Sequence, residues 1–166
     1  MINLKSFDTK SFFQEVDEIF DEFARERMPP ECYGWRSWKI EKSFVKHSNG
    51  SLTHLHSEKG RDFEDSQKLF YEFKQVKDAF KNTTTPDITT KNFYKECLGI
   101  PSKTFDYLIV FDADRKSIGM YDWEYINRKM KVNDAKITVK LEVSKAIEFL
   151  SYYDEIFENT IEVPRG

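Results

Sequence analysis

The chain is poor in the residues that break or staple a fold, with six Gly, five Pro and two Cys among 166 residues. So little Gly and Pro argues against a collagen-like, low-complexity or disordered chain. Cys32 and Cys97 lie far apart and match neither a C-x-x-C pair nor a zinc-ligand spacing, as expected of reduced thiols in a cytoplasmic protein. No stretch approaches the roughly 20 apolar residues that a bilayer span requires. The opening MINLKSFDTKSFF lacks the basic start and apolar core of a signal peptide. A net charge of −3 leaves no overall basic field, so nucleic-acid binding has to come from a local patch. A Gly-rich phosphate loop, a G-x-S-x-G elbow and a Cys/His pairing are all missing, and the reaction classes they serve have no support.

What the chain has instead is aromatic side chains: fifteen Phe, eight Tyr and three Trp. Its length suits one domain with an ordinary core. Phe12, Phe13, Val16, Ile19, Phe20 and Phe23 recur at helical spacing, Asp8 or Ser11 is placed to cap the start, and Met28-Pro29-Pro30 stops the run. The opposite face of this helix is acidic, with Glu15, Asp17, Glu18, Asp21 and Glu22, and reads first as a solvated face. From Tyr33 to Glu58 the aromatic and β-branched runs flank Ser48-Asn49-Gly50-Ser51, a hairpin signal. Residues 66–82 carry Leu69, Phe70, Phe73, Val76 and Phe80 on one helical face, with Asp65 or Ser66 as cap, which favours a helix. The same stretch also reads as a strand with Phe70, Glu72, Lys74 and Val76 on one side.

Asn82 to Thr90 reads as a polar loop, and a short helix around Lys91 to Leu98 ends at Gly99. Leu108-Ile109-Val110-Phe111, the charged Asp112-Ala113-Asp114-Arg115-Lys116 and the run Ile118 to Tyr125 predict a core strand, a turn and a returning strand. Lys136 to Val143 alternates as a half-buried strand, and Ser144 is placed to cap a closing helix through Ile147, Leu150, Tyr153 and Phe157. The expected fold is α+β: a single domain over residues 1–162, with a mixed or antiparallel sheet of about five strands flanked by N-terminal, middle and C-terminal helices. Residues 163–166, Val-Pro-Arg-Gly, resemble a protease-site remnant and carry no functional weight.

Four groups of residues bear on chemistry. Asp62, followed by Glu72-Phe73-Lys74, offers an acid ahead of a Glu-x-Lys. Two carboxylates can hold Mg²⁺ at a strand edge, and a lysine two residues on shares the strand face and can orient water or steady phosphate charge. On a helix, Glu72 and Lys74 would diverge. His54-Leu55-His56 sets two imidazoles on one strand face, a spacing used in some metal sites, with Asp62 or Glu64 near in sequence; two ordinary exposed histidines are the plainer reading. Asp112 and Asp114 form a reserve acidic site that is equally an ordinary polar turn. Trp35, Arg36 and Trp38, among Lys39, Lys42 and Lys46, mix aromatics and cations as interfaces do. On a regular strand the two tryptophans face opposite sides, so one would be exposed.

The order of these elements, with Asp62 and the Glu72-x-Lys74 pair, resembles the PD-(D/E)xK restriction-endonuclease-like superfamily. In that family an N-terminal helix, often bearing a Glu, precedes a strand hairpin holding the acid and the (D/E)xK. A helix then leads to a further core strand, here Phe105 to Phe111. The resemblance implies a Mg²⁺-dependent nuclease acting on DNA in a restriction, repair or mobile-element setting. Asp62 and Glu72 would bind metal, Lys74 would be the catalytic lysine, and Glu15 or Glu18 would supply the helix acid. The rival expectation is a non-enzymatic interaction module, such as a regulator, inhibitor or immunity-type protein, with a protein partner or a second copy of the chain. Neither reading involves a membrane.

Overall fold

A computed structural model describes residues 1–56, 61–76, 87–90, 103–129, 131–133 and 136–152. The expected helix at Lys91–Leu98 and the tail 163–166 lie outside the described residues. The architecture is α+β, as expected. Its longer sheet has six strands in the order β1-β2-β3-β5-β6-β9, and a three-stranded sheet runs β4-β8-β7. These strands are β1 Leu52–His54, β2 Phe63–Asp65, β3 Phe70–Gln75, β4 Asp87–Thr90, β5 Tyr107–Asp112, β6 Ser117–Asp122, β7 Lys131–Asn133, β8 Lys136–Lys140 and β9 Glu148–Ser151. The helices among the described residues are α1 Thr9–Arg25, α2 Tyr33–Lys46 and α3 Trp123–Lys129. The chain divides into two compact units, Met1–Phe73 with Thr104–Asp106, and Lys74–Lys103 with Tyr107–Gly166.

In the first unit, α1 starts where Asp8 accepts a hydrogen bond from the Ser11 amide at 3.2 Å. Phe12, Phe13, Val16, Ile19 and Phe23 line its buried stripe. Phe44 of α2 is the hub of the core, with ring centroids 5.1 Å from Phe12, 5.5 Å from Phe63 and 4.6 Å from Phe73. These edge and offset contacts add to the burial of large apolar area.

The hairpin expected at Tyr33–Glu58 is corrected by α2. Pro30 opens a short 3-10 turn leading into the helix, and Ile40, Ser43 and Phe44 bury one helical face. Asn49 and Gly50 still make a turn, with φ of 56° and 80°, but they join a helix to β1 rather than two strands. The left-handed geometry is what the Asn-Gly pair supplies, and a hairpin is only one of its uses. Trp35 and Trp38, three residues apart on a helix, therefore share a side, and both are exposed.

Of the helix favoured over 66–82, the part at Phe70–Gln75 is corrected by β3, and residues 77–82 lie outside the described residues. Asp65, read as a helix cap, instead takes the amides of Gln67 at 2.8 Å and Leu69 at 3.1 Å into its Oδ1. That closes a tight turn, with Lys68 at φ 65°, and returns the chain as β3 against β2. Tyr71 and Phe73 then alternate into the aromatic core.

In the second unit the β5–β6 hairpin matches the sequence expectation. Ile109 lies opposite Met120 and Phe111 opposite Ile118, all buried. Asp112 builds its turn by accepting from the amides of Asp114 and Arg115 at 3.0 and 3.2 Å. The returning strand ends at Asp122, which takes the Tyr125 amide at 2.7 Å and starts α3. Strand β8 falls within the predicted Lys136–Val143. Residues 87–90, read as loop, are β4. Over residues 148–151 the expected closing helix is strand β9, paired with β6 from Met120↔Glu148 to Ser117↔Ser151. The β6 edge offers a ladder to this segment, and pairing with it overrides a short apolar pattern that fits either period. The rest of that predicted helix lies outside the described residues.

Candidate functional site

Asp62 lies just before β2 and Glu72 lies on β3, the two strands of one hairpin. Phe63 pairs with Tyr71, and the Asp62 amide also donates to the Tyr71 carbonyl at 2.7 Å, so Asp62 and Phe63 both face Tyr71 and the regular β2–β3 pairing stops at Phe63. The Asp62 carboxylate reaches the neighbouring strand, where its Oδ2 accepts from the Phe73 amide at 2.8 Å. A backbone donor on one carboxylate oxygen holds the group in place. Because Tyr71 and Phe73 point into the aromatic core, Glu72 and Lys74 point to the other face of β3. Glu72 is buried, and Lys74 is half-buried.

The end of this hairpin is braced by residues that no sequence spacing pairs. Asp106 Oδ2 accepts from the Phe70 amide at 2.8 Å, and the Asp106 amide donates to the Phe70 carbonyl, also at 2.8 Å. The Arg61 guanidinium lies 4.2 Å from the centre of the Phe70 ring. Tyr71 donates to Asp65 Oδ2 at 2.7 Å and accepts from the Ile2 amide at 2.9 Å. Burial would raise the Asp65 pKa, but the Tyr71 hydroxyl and the Leu69 and Gln67 amides hold it below the usual carboxylate value.

The acids of α1 are not brought to this hairpin. Glu15 accepts from Ser43 Oγ at 2.6 Å and Lys46 Nζ at 2.7 Å, and lies 3.0 Å from His47 Nε2. Burial opposes its ionisation, yet the bonds from Lys46, Ser43 and His47 outweigh that and bring its pKa down to about 2. Glu15 is thus a clasp between α1 and α2. Glu18 is exposed and lines a groove of about 600 Å³ between the same helices, with Glu22, Trp38, Lys39 and Lys42. The α1–α2 pair packs on the face of the hairpin that receives Phe63 and Phe73, so Glu18 stays apart from Glu72.

The other candidates are also located. Asp112 is fully buried in its turn, whereas Asp114 is exposed, so the two do not form a paired acidic site. The Arg36 guanidinium sits 4.6 Å from the Phe20 ring centre and 4.2 Å from that of Tyr33. Lys39 Nζ stands 4.9 Å from the Trp35 ring centre, so this side of α2 is an exposed cation–aromatic surface. His54 and His56 do come together, with Nδ1 atoms 3.0 Å apart. Their carboxylate neighbour is Glu41 of α2, 2.9 Å from His54 Nε2, rather than Asp62 or Glu64. Only a helix at 33–46 places Glu41 there, and reading that segment as strands hid it.

Among the described residues no group of three or more His, Cys, Asp or Glu surrounds a common point, and no helix is long and apolar enough to cross a membrane. No family model matches the chain, and no curated protein is significantly similar to it.

Proposed function

We propose that this chain is a nuclease-like domain that hydrolyses DNA phosphodiesters with Mg²⁺, centred on Asp62, Glu72 and Lys74. The observation that carries the reading is the Asp62 carboxylate seated on β3, its Oδ2 on the amide of Phe73, the residue after Glu72, with Lys74 two residues beyond Glu72 on the same strand. The resemblance to the PD-(D/E)xK superfamily supports the reading through a helical N-terminus, the acid-bearing hairpin and the strand β5, while the helix expected between hairpin and strand lies outside the described residues.

The donor set suits Mg²⁺. This ion keeps several waters and is commonly held by one or two carboxylates together with substrate phosphate oxygens, so two protein ligands suffice. Asp62 and Glu72 would hold the ion, which when bound neutralises phosphate charge and lowers the pKa of its water. Asp62 comes to the task already oriented by the Phe73 amide. Burial of Glu72 places its carboxylate where charge is weakly screened. Lys74 supplies a cation on the Glu72 face to orient water or steady a phosphate oxygen. Glu18 has no part in this version of the site.

The test is cleavage of supercoiled, linear and single-stranded DNA with Mg²⁺ and with chelator, by the wild type and by Glu72→Gln and Lys74→Met. Mg²⁺-dependent cleavage that falls at least about 100-fold in both variants supports the reading; the scale is that of losing a metal ligand or a charge stabiliser. Cleavage unchanged in both, or none across all substrates, overturns it.

A second reading, a non-enzymatic interaction module, draws on Trp35 and Trp38, which are 46% and 41% exposed on one side of α2. Paired exposed tryptophans are typical interface anchors. A stoichiometric protein complex lost on Trp35→Ala and Trp38→Ala, from a chain with no cleavage activity, would favour it.

A further inference from the structure

His54 and His56 meet in a way that ordinary hydrogen bonding accommodates poorly. His54 is almost fully buried, with Nε2 against Glu41 Oε1 and Nδ1 against His56 Nδ1. A neutral imidazole has one N–H. The Glu41 carboxylate, 2.9 Å from Nε2, only accepts, so the proton sits there and Nδ1 carries a lone pair. That lone pair faces His56 Nδ1 at 3.0 Å. The indole N–H of Trp38, a donor only, also points at His56 Nδ1, at 3.4 Å, which assigns that atom a lone pair too. Two nitrogens, each cast as an acceptor by its other neighbour, therefore confront each other.

We propose that these two nitrogens bind a borderline divalent transition cation of the Ni²⁺, Cu²⁺ or Zn²⁺ class, ligated by His54 Nδ1 and His56 Nδ1 and completed by solvent. Imidazole suits such ions. At the usual metal–nitrogen length of about 2.0–2.1 Å, nitrogens 3.0 Å apart subtend roughly 90° at the ion, as in square-planar or octahedral sites. Glu41 plays the outer-shell part, since a carboxylate on the far nitrogen fixes the tautomer and raises the basicity of the ligating one. It also offsets the nearby positive charge of Lys42. The rings cross at 70°, and His56 is exposed, so an ion has access from solvent. The Trp38 bond is long and its indole is 41% exposed, so water can take over that N–H when a metal occupies His56. The proposal is independent of Asp62 and Glu72, whose oxygen donors suit a harder ion.

The tag-free chain of 166 residues titrated with Cu²⁺, Ni²⁺ and Zn²⁺ should bind one equivalent, seen by calorimetry. Cu²⁺ should also quench the fluorescence of Trp38, with most of that quenching lost in Trp38→Phe. His56→Ala, at an exposed position that leaves the core intact, should abolish binding. Glu41→Gln should weaken it about 10- to 100-fold, the range for an outer-shell partner of a metal-bound histidine. Binding that survives His56→Ala, or no binding by a folded wild type, overturns the proposal. So does a nitrogen NMR spectrum in which His56 Nδ1 carries a proton that added metal does not displace.

Discussion

The Tyr71 hydroxyl donates to Asp65 Oδ2 at 2.7 Å inside the first unit while accepting from the Ile2 amide at 2.9 Å. One side chain thus satisfies a carboxylate in the β2–β3 turn and a backbone donor near the N-terminus. Tyr71 is fully buried, so neither partner has ready access to replacement water. Tyr71→Phe should lower stability by about 1–3 kcal/mol, the cost of leaving buried polar groups unmet. The Asp65 pKa should rise, because a hydroxyl that favours its ionised form is gone. Denaturant unfolding and carboxyl NMR titration would measure the two effects. An unchanged unfolding midpoint would mean that water reaches the site.

The aromatic hub makes a larger prediction. Phe44 is 1% exposed and contacts Phe7, Phe12, Phe63 and Phe73, which come from four segments. Phe44→Ala should cost about 3–5 kcal/mol, combining lost transfer energy with the cavity left behind. Phe44→Leu should cost clearly less, since much of the volume is retained. Thermal unfolding of the two variants gives the ranking. Equal losses would point to loss of α2 itself rather than to a cavity.

The Glu15 clasp predicts a pH dependence of defined sign. Its folded pKa of about 2 lies below the ordinary value of 4.5, through its bonds with Lys46, Ser43 and His47. Stabilisation from a depressed carboxylate is present above the unfolded pKa and is lost as pH falls through the folded one. The wild type should therefore exceed Glu15→Gln in stability at pH 6, by about 1–2 kcal/mol after allowing for solvent screening. That margin should shrink between about pH 4.5 and pH 2. Unfolding midpoints for both proteins across that range would show it. A margin that stays constant down to pH 2 would remove Glu15 as the titrating clasp.

What was legible in the sequence follows the range of the forces involved. The α1 stripe and the β5–β6 hairpin could be read because their caps, periods and turn residues are local: Asp8 caps three residues ahead, and Asp112 holds its own turn. Helix α2 was misread because Trp35, Trp38, Ile40, Phe44 and Val45 favour strands by type, while their burial follows the helical spacing of Ile40, Ser43 and Phe44. Strand β3 was misread because Asp65 can cap a helix or close a turn. Pairing with β2 and burial of Tyr71 and Phe73 decide between them, and neither is visible locally. The candidate site was half legible. Asp62, Glu72 and Lys74 are visible as an acid ahead of a Glu-x-Lys, but the seat of Asp62 on the Phe73 amide is not. The Asp106 brace on Phe70 and the Glu41 partner of His54 span 36 and 13 residues, and no sequence spacing announces them.

Asp62 allows its structural and chemical roles to be separated. Its Oδ2 accepts from the Phe73 amide at 2.8 Å, so truncation removes a charge-assisted bond from the hairpin. Asp62→Ala should therefore destabilise by about 1.5–3 kcal/mol as well as abolish Mg²⁺-dependent cleavage. Asp62→Asn keeps a carbonyl oxygen of the same reach for that amide and should cost less than about 1 kcal/mol. It replaces the anionic ligand with a neutral one, which Mg²⁺ binds far more weakly, so cleavage should still fall by at least about 100-fold. Unfolding curves and cleavage rates on both variants resolve the roles. If Asp62→Asn cleaves within a few-fold of the wild type, Asp62 is a strand fastener and the metal must be sought elsewhere.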